Sequence, residues 1–247
     1  MKAVILAGGK GTRLRPLTYA VPKPLLPINE KPMMEHIILH MKSHGITEFI
    51  ISVGYLGYQI KNYFKDGAEW GVKIEYSEED TPLGTAGCLS PIRDKLTETF
   101  LLIGGDNLTN INFKKFIEFH KSHKGIASVA LFELKQKVEY GVYSIDKDKK
   151  ITKFEEKPSF KYNAGTMIFC LEPEIFDFIP KTDSKSPKPI NITDHILPKL
   201  IESDRPIYGF PFCDYWIDVG RISDYDEVNG GILSKQIKEE KRSLKKE

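Results

Sequence analysis

The sequence predicts an α/β fold, a mostly parallel mixed sheet flanked by helices, and two observations carry that prediction. Apolar β-rich runs alternate with amphipathic segments across residues 1–135. Strand–helix–strand alternation implies a mostly parallel sheet covered on both faces. Two of the apolar runs stop abruptly at glycine pairs, Gly8-Gly9 and Gly104-Gly105, and in such sheets ligands gather at the C-terminal ends of strands.

The elements follow in order. Lys2–Leu6 reads as a fully buried strand. Met33–His44 reads as a helix, with Ile37, Ile38 and Met41 at helical spacing. Glu48–Val53 is the next strand, Tyr58–Phe64 the next helix and Val72–Tyr76 a strand. Thr85–Ile92 is expected to be helical. Phe100–Ile103 is a buried strand ending at Gly104-Gly105-Asp106, Phe113–His123 a helix and Ala127–Phe132 a strand. Beyond Tyr140 the pattern loosens. Short strands at Val142–Ile145, Ile151–Glu155 and Ala164–Cys170 mix with turns such as Asp146–Lys150, and they predict a smaller β-rich part forming one wall of a cleft. Lys181–Lys188 is polar and reads as a mobile loop. Lys235–Glu247 is almost all charged and reads as a solvated tail.

The 247 residues, 40% of them hydrophobic, suffice for a sizeable core. A net charge of +2 gives no electrostatic case for nucleic acid or a membrane surface. No run approaches the roughly 18 apolar residues of a membrane span, and Met1–Leu6 is too short an apolar run for a signal peptide. Cys88, Cys170 and Cys213 form no CxxC pair, which suggests neither a zinc site nor a disulfide framework. A cytoplasmic protein is the expectation.

The stretch AVILAGGKGTRLRPLT, Ala3 to Thr18, carries the first chemistry. Gly8-Gly9-Lys10-Gly11-Thr12 lacks the spacing of a P-loop and is not a GxGxxG fingerprint. The physics is nevertheless shared: glycines let backbone N–H groups approach an anion, and Arg13 can fork onto phosphate oxygens. On this stretch alone, an ordinary strand–helix turn with surface cations is an equal reading. Lys23, between Pro22 and Pro24 on a stiffened backbone, reads on its own as a solvated surface lysine.

LAGGKGTRLRPLT followed by PKPLLPI resembles the signature of the sugar-1-phosphate nucleotidyltransferases, the pyrophosphorylases that make NDP-sugars. The resemblance continues in order through Gly54-Tyr55, Pro82–Gly87 (PLGTAG), Gly105-Asp106, Tyr140-Gly141-Val142, Glu155–Pro158 (EEKP), Asn163-Ala164-Gly165 and Trp216–Gly220 (WIDVG). It implies the nucleotide-diphospho-sugar transferase fold, Rossmann-like, in a single catalytic domain over residues 1–234. The nucleotide part would span about 1–135 and the sugar part about 136–234, with 235–247 as the tail. The chain ends about where such a domain ends, and no β-helix domain of the larger relatives is expected.

The implied reaction joins an NTP and a sugar 1-phosphate, giving an NDP-sugar and pyrophosphate. By resemblance, Arg13 and Lys23 are catalytic and hold the phosphates, with Gly8, Gly9, Gly11 and Thr12 supporting them. Asp106 and Asp218 would hold Mg²⁺; a strand-end carboxylate is a natural ligand, although each could also merely cap a turn. Asn107, Gly141, Glu156, Lys157, Asn163 and Gly165 would bind the sugar phosphate, Glu156 accepting hydroxyls and Lys157 holding the phosphate. Leu6, Ala7, Gly8, Glu79, Gly84 and Thr85 would bind the nucleotide and read the base. Relatives are often dimers or tetramers, so a homo-oligomer is a further expectation.

The base is less clearly written. Where pyrimidine-specific relatives often carry glutamine, this chain has Glu79. An ionised carboxylate only accepts, which suits the adjacent N1–H and 2-amino donors of guanine. PLGTAG is also similar to the guanylyltransferases of mannose and heptose phosphates. Against this, Asp106-Asn107 resembles the glucose-1-phosphate thymidylyltransferases, so dTTP or UTP with glucose 1-phosphate is the alternative. An NDP-sugar-binding regulatory protein without activity is a rival of another class. His36, His40 and His44 recur at helical spacing, but the row favours core packing over a metal site, and His195 receives no role.

Overall fold

The computed structural model describes residues 1–180, 188–213 and 215–229. The loop and tail expected at 181–188 and 235–247 fall in or reach into segments outside the described residues. Thirteen strands and six α-helices run in the order β1 (Lys2–Ala7), β2 (Pro27–Ile28), β3 (Lys31–Pro32), α1 (Met33–Ser43), β4 (Glu48–Val53), α2 (Gly57–Phe64), β5 (Lys73–Glu78), α3 (Gly84–Gly87), β6 (Phe100–Gly104), β7 (Asn107–Thr109), α4 (Phe113–His123), β8 (Ala127–Lys137), β9 (Val142–Ile145), β10 (Ile151–Glu155), β11 (Ser159–Leu171), α5 (Leu197–Glu202), β12 (Ile207–Phe212), β13 (Trp216–Asp218) and α6 (Ile222–Glu227) among the described residues.

Seven strands form one mixed sheet in the order β12-β8-β11-β6-β1-β4-β5. The β6-β1-β4-β5 half is parallel, and β11 runs antiparallel between β6 and β8. Alternate residues of β1 serve two cores. Ala3, Ile5 and Ala7 join a cluster with Met34, Ile38 and Phe116 on one face, while Val4 joins Leu89, Phe100 and Ile196 on the other. This two-sided burial is the reason β1 reads as a continuous apolar run. Among the described residues no helix is long and apolar enough to cross a membrane.

Three expectations need correction. Thr85–Ile92 is not one helix: α3 ends at Gly87, and a 3-10 turn takes over at Ser90–Lys95. The break is set by Pro91, which offers no N–H to continue the helix, and Gly84, left-handed (φ +81) against the Ile190 backbone, fixes where α3 starts. The strands expected at Ala127–Phe132 and Ala164–Cys170 extend well beyond those runs as β8 and β11, whose outer halves are largely exposed. The ribbon of β7 with β13, three residues on each side, and the parallel edge strand β12 carry too little local pattern to be read in advance.

Candidate active site

The site is built at the C-terminal ends of β1 and β6. After Ala7 the chain turns through Gly8–Gly11. Gly11 is left-handed (φ +58), and a Cβ there would stand 2.9 Å from the Thr18 methyl; Thr18 Oγ1 instead donates to the Gly11 carbonyl at 2.8 Å. A 3-10 turn follows, Thr12–Leu14. Leu14 anchors it in the core, and Arg13 stays exposed with its guanidinium over Gly220, where a Cβ would lie 3.4 Å from Nη1. Lys23 opens a second 3-10 turn, stiffened by Pro22 and the buried Pro24.

β6 is tied to β1 where both end, through the Gly105 N–H and the Leu6 carbonyl (2.9 Å). Gly105 has no room for a side chain, since a Cβ would meet the Leu6 carbonyl at 2.8 Å. Asp106 follows directly. β13 pairs antiparallel with β7 in a register that sets Asp218 opposite Asn107, and the Val219 N–H donates to the Asp106 carbonyl at 3.3 Å. Two aspartates far apart in sequence thereby become neighbours. Lys23 Nζ donates to Asp106 Oδ2 and lies 3.7 Å from Asp218 Oδ1. Burial, reinforced by the charge of Asp106, raises the Asp218 carboxyl above its ordinary value, while Lys23 and Arg13 pull it back. Arg13, Lys23 and Asp106 border an open cleft of about 350 Å³ whose lining also includes Leu6, Ala7, Gly8, Gly9, Gly11, Thr12, Thr85, Met167 and Gly220, and Asp218 adjoins it through Lys23.

A second cleft, about 470 Å³, shares Leu6, Gly8, Gly9 and Thr85 with the first and adds Lys10, Gly54, Tyr55, Glu79, Gly84 and Cys88. Glu79 stands beneath it. Its Oε1 accepts from Ser52 Oγ (2.5 Å) and its Oε2 from the Leu83 N–H (2.8 Å), so the carboxylate is held from two sides. A Cβ on Gly8 would come within 3.2 Å of Oε1. Thr85 is fixed between the clefts, its Oγ1 accepting from the Ile192 N–H at 2.9 Å. Lys10, Tyr55, Met167 and Gly220 were not singled out as site residues by the sequence reading. Lys10, Tyr55 and Gly220 do sit within its quoted motifs, whereas nothing in the sequence marked Met167.

Asn107 lies directly behind Asp106. It is 1% exposed, its Nδ2 donates to Asp106 Oδ1 (2.9 Å), and its Oδ1 accepts from Trp216 Nε1 (2.8 Å). An amide engaged in this way faces a neighbouring carboxylate rather than a ligand. The other sugar-side residues lie apart from the first cleft's lining. Glu156 adjoins Gly141, with Oε2 3.1 Å from where a Gly141 Cβ would be. Lys157 is exposed with φ +44. Asn163 and Gly165 are exposed on β11, which reaches the cleft at Met167. The histidine row is structural. His36 and His40 contact the Ile28 and Ile111 carbonyls through Nε2, and burial pushes His40 down to about 4. His195 accepts the Asn191 N–H.

Comparison with known proteins identifies relatives over nearly the whole chain. The family model described as nucleotidyl transferase matches residues 2–235. UTP–glucose-1-phosphate uridylyltransferase of Synechocystis is 35% identical over 258 residues, covering 96% of this chain and 65% of that protein. Mannose-1-phosphate guanyltransferase of Saccharomyces cerevisiae is 35% identical over 246 residues, covering 94% and 64%. The chain thus spans just under two thirds of the length of these relatives. A candidate glucose-1-phosphate thymidylyltransferase from Bacillus anthracis superposes with a TM-score of 0.75 at 28% identity, covering 93% of this chain and 94% of that one. In motif order, sheet topology and sequence likeness over nearly its whole length, the chain belongs to the nucleotidyl transferase family.

Proposed function

We propose that this chain joins an NTP to a sugar 1-phosphate, releasing pyrophosphate and forming an NDP-sugar. The observation that carries the reading is the convergence of Arg13, Lys23 and Asp106 on one glycine-lined cleft at the strand ends, with Asp218 beside Lys23. A sugar phosphate oxygen attacks the α-phosphorus in line, and the bond to the bridging oxygen of the β-phosphate breaks. No protein nucleophile is needed, so the residues act by positioning and by charge. The Gly8–Thr12 backbone and Arg13 receive the β- and γ-phosphates and the departing pyrophosphate. Lys23 stabilises charge at the α-phosphate, and Glu156 and Lys157 hold the incoming sugar phosphate.

The donor set suits Mg²⁺. Asp106 and Asp218 flank the Lys23 ammonium, which pairs with both. Among the described residues no group of three or more His, Cys, Asp or Glu could hold a metal, so substrate phosphate oxygens and water would complete the shell, as Mg²⁺ commonly allows. Bound there, the ion would supply Lewis-acid stabilisation of phosphate charge.

GTP with mannose 1-phosphate is the favoured pair. Glu79, held at the second cleft by Ser52 and Leu83, presents an acceptor suited to the N1–H and 2-amino group of guanine. One observation favours the alternative of UTP or dTTP with glucose 1-phosphate: both Glu79 oxygens already accept a hydrogen bond, which would leave the base to the backbone. Lys23→Ala and Asp218→Ala should each reduce turnover by about 10²-fold or more while the fold is retained. Near-wild-type turnover in both variants would overturn the assignment.

A further inference from the structure

Asn107 and Trp216 have no part in the reading above, yet they sit directly behind Asp106. The Trp216 indole can only donate, and it donates to Asn107 Oδ1. That contact fixes which way the amide faces: oxygen toward Trp216, NH₂ toward Asp106 Oδ1. Reversed, the amide would present an oxygen to the carboxylate and repel it. Gly104 leaves the space for this contact, since a Cβ there would stand 2.7 Å from Asp106 Oδ1 and overlap the Asn107 amide nitrogen. Trp216 and Asp218 share the short strand β13, and the register sets Asp218 opposite Asn107. One ribbon therefore holds both carboxylates, Asp218 through its own backbone and Asp106 through two side chains.

We propose that Trp216, acting through Asn107, is a positioning residue that keeps Asp106 Oδ1 engaged and Oδ2 turned toward the cleft. What Asp106 does there rests on the nucleotidyl-transfer reading; how it is held does not. An ionised carboxylate with one oxygen tied to a buried amide loses freedom to rotate about χ2, so its other oxygen is presented in one orientation to a cation or a lysine. Groups that orient a metal-binding carboxylate in this way typically change affinity or activity by about 10–100-fold.

The test uses Trp216→Phe, Asn107→Leu and the double variant, each first shown by thermal unfolding to be folded. Trp216→Phe keeps a ring to pack on Phe132 and removes only the donor. Mn²⁺ binding is titrated by the loss of the free-ion electron paramagnetic resonance signal, with Asp106→Asn as the reference for a lost ligand. Each single variant should need about tenfold more Mn²⁺ than wild type. In turnover, kcat should fall about tenfold with the KM for the NTP within about twofold, and the double variant should lose no more than Asn107→Leu alone. Unchanged Mn²⁺ binding in both single variants, or losses that multiply in the double variant, would overturn the proposal. So would a wild-type protein that binds no Mn²⁺. If the wild type binds Mn²⁺ through this arrangement but releases no pyrophosphate from any substrate pair, the nucleotidyl-transfer reading fails and the positioning relay stands.

Discussion

At the end of β6, Leu101, Leu102 and Ile103 are fully buried, and the next residues set Asp106 against Lys23. In the β9–β10 hairpin, by contrast, Tyr143, Ile145, Ile151 and Phe154 are 50–63% exposed. They form one apolar face, Tyr143 paired with Phe154 and Ile145 with Ile151. A two-stranded hairpin holds itself together weakly. Asp106, with Lys23 paired to it, thus follows a strand buried on both faces, while Glu156 and Gly141 flank an exposed hairpin. The contrast teaches a division of labour. Charge stabilisation needs groups that do not move during the reaction, and recognition of a sugar can be completed by the substrate.

The largest expected effect separates these two regions. Lys23→Ala should cut kcat by about 10²-fold or more, whereas Glu156→Ala should mainly raise the KM for the sugar phosphate, with kcat within about tenfold. Equal losses of kcat in steady-state assays would break the comparison.

Next come two glycines. Gly84→Ala forces a side chain onto a left-handed residue and to 2.6 Å from the Ile190 carbonyl oxygen. It should destabilise the fold by about 1–3 kcal/mol and weaken NTP binding. Gly165→Ala, whose Cβ would meet nothing within 4 Å, should leave the urea midpoint nearly unchanged. A similar loss in both variants would remove the distinction between a packed and an open half.

Polar packing predicts a smaller difference. His120 is 1% exposed and bonded to Ser128 Oγ and Glu172 Oε1, both at 2.9 Å. His120→Ala should cost about 1–3 kcal/mol by leaving partners unsatisfied. Ile145→Thr on the hairpin should stay within about 0.5 kcal/mol by the same denaturant titration.

A further effect is one of pH. Burial pushes His40 down to about 4, against about 6.5 for an unfolded imidazole. The unfolded chain binds the extra proton between those values. The stabilising contribution is therefore complete above about pH 6.5 and is lost as pH falls toward 4. Urea midpoints at pH 7 and pH 5 should differ more in wild type than in His40→Gln; an equal difference would place the acid sensitivity elsewhere.

Much of the packed half was legible because its elements carry their own signal. β1, α1, β4, α2, β6 and α4 each bury an uninterrupted apolar run or a clear helical stripe. Their ends fall within a residue or so of expectation. What the sequence hid depends on distant partners. β7 and β13 are strands only because they pair with each other, and that pairing is what makes Asp218 a neighbour of Asp106. Asn107 gave no sign of facing inward, because its burial is decided by Trp216 and by the bare Gly104. Glu79 was visible as an acidic residue, but not the two donors that hold it. The resemblance to known motifs supplied the pairing of the aspartates that local pattern lacked.

The central claim is tested most directly by pyrophosphate release from the wild-type chain with Mg²⁺. GTP, UTP, dTTP, CTP and ATP would each be combined with mannose, glucose and heptose 1-phosphates. The account predicts release, fastest with GTP and mannose 1-phosphate. Release fastest with UTP or dTTP and glucose 1-phosphate would keep the reaction and overturn the role given to Glu79. No release from any pair, with folded protein, would contradict the account.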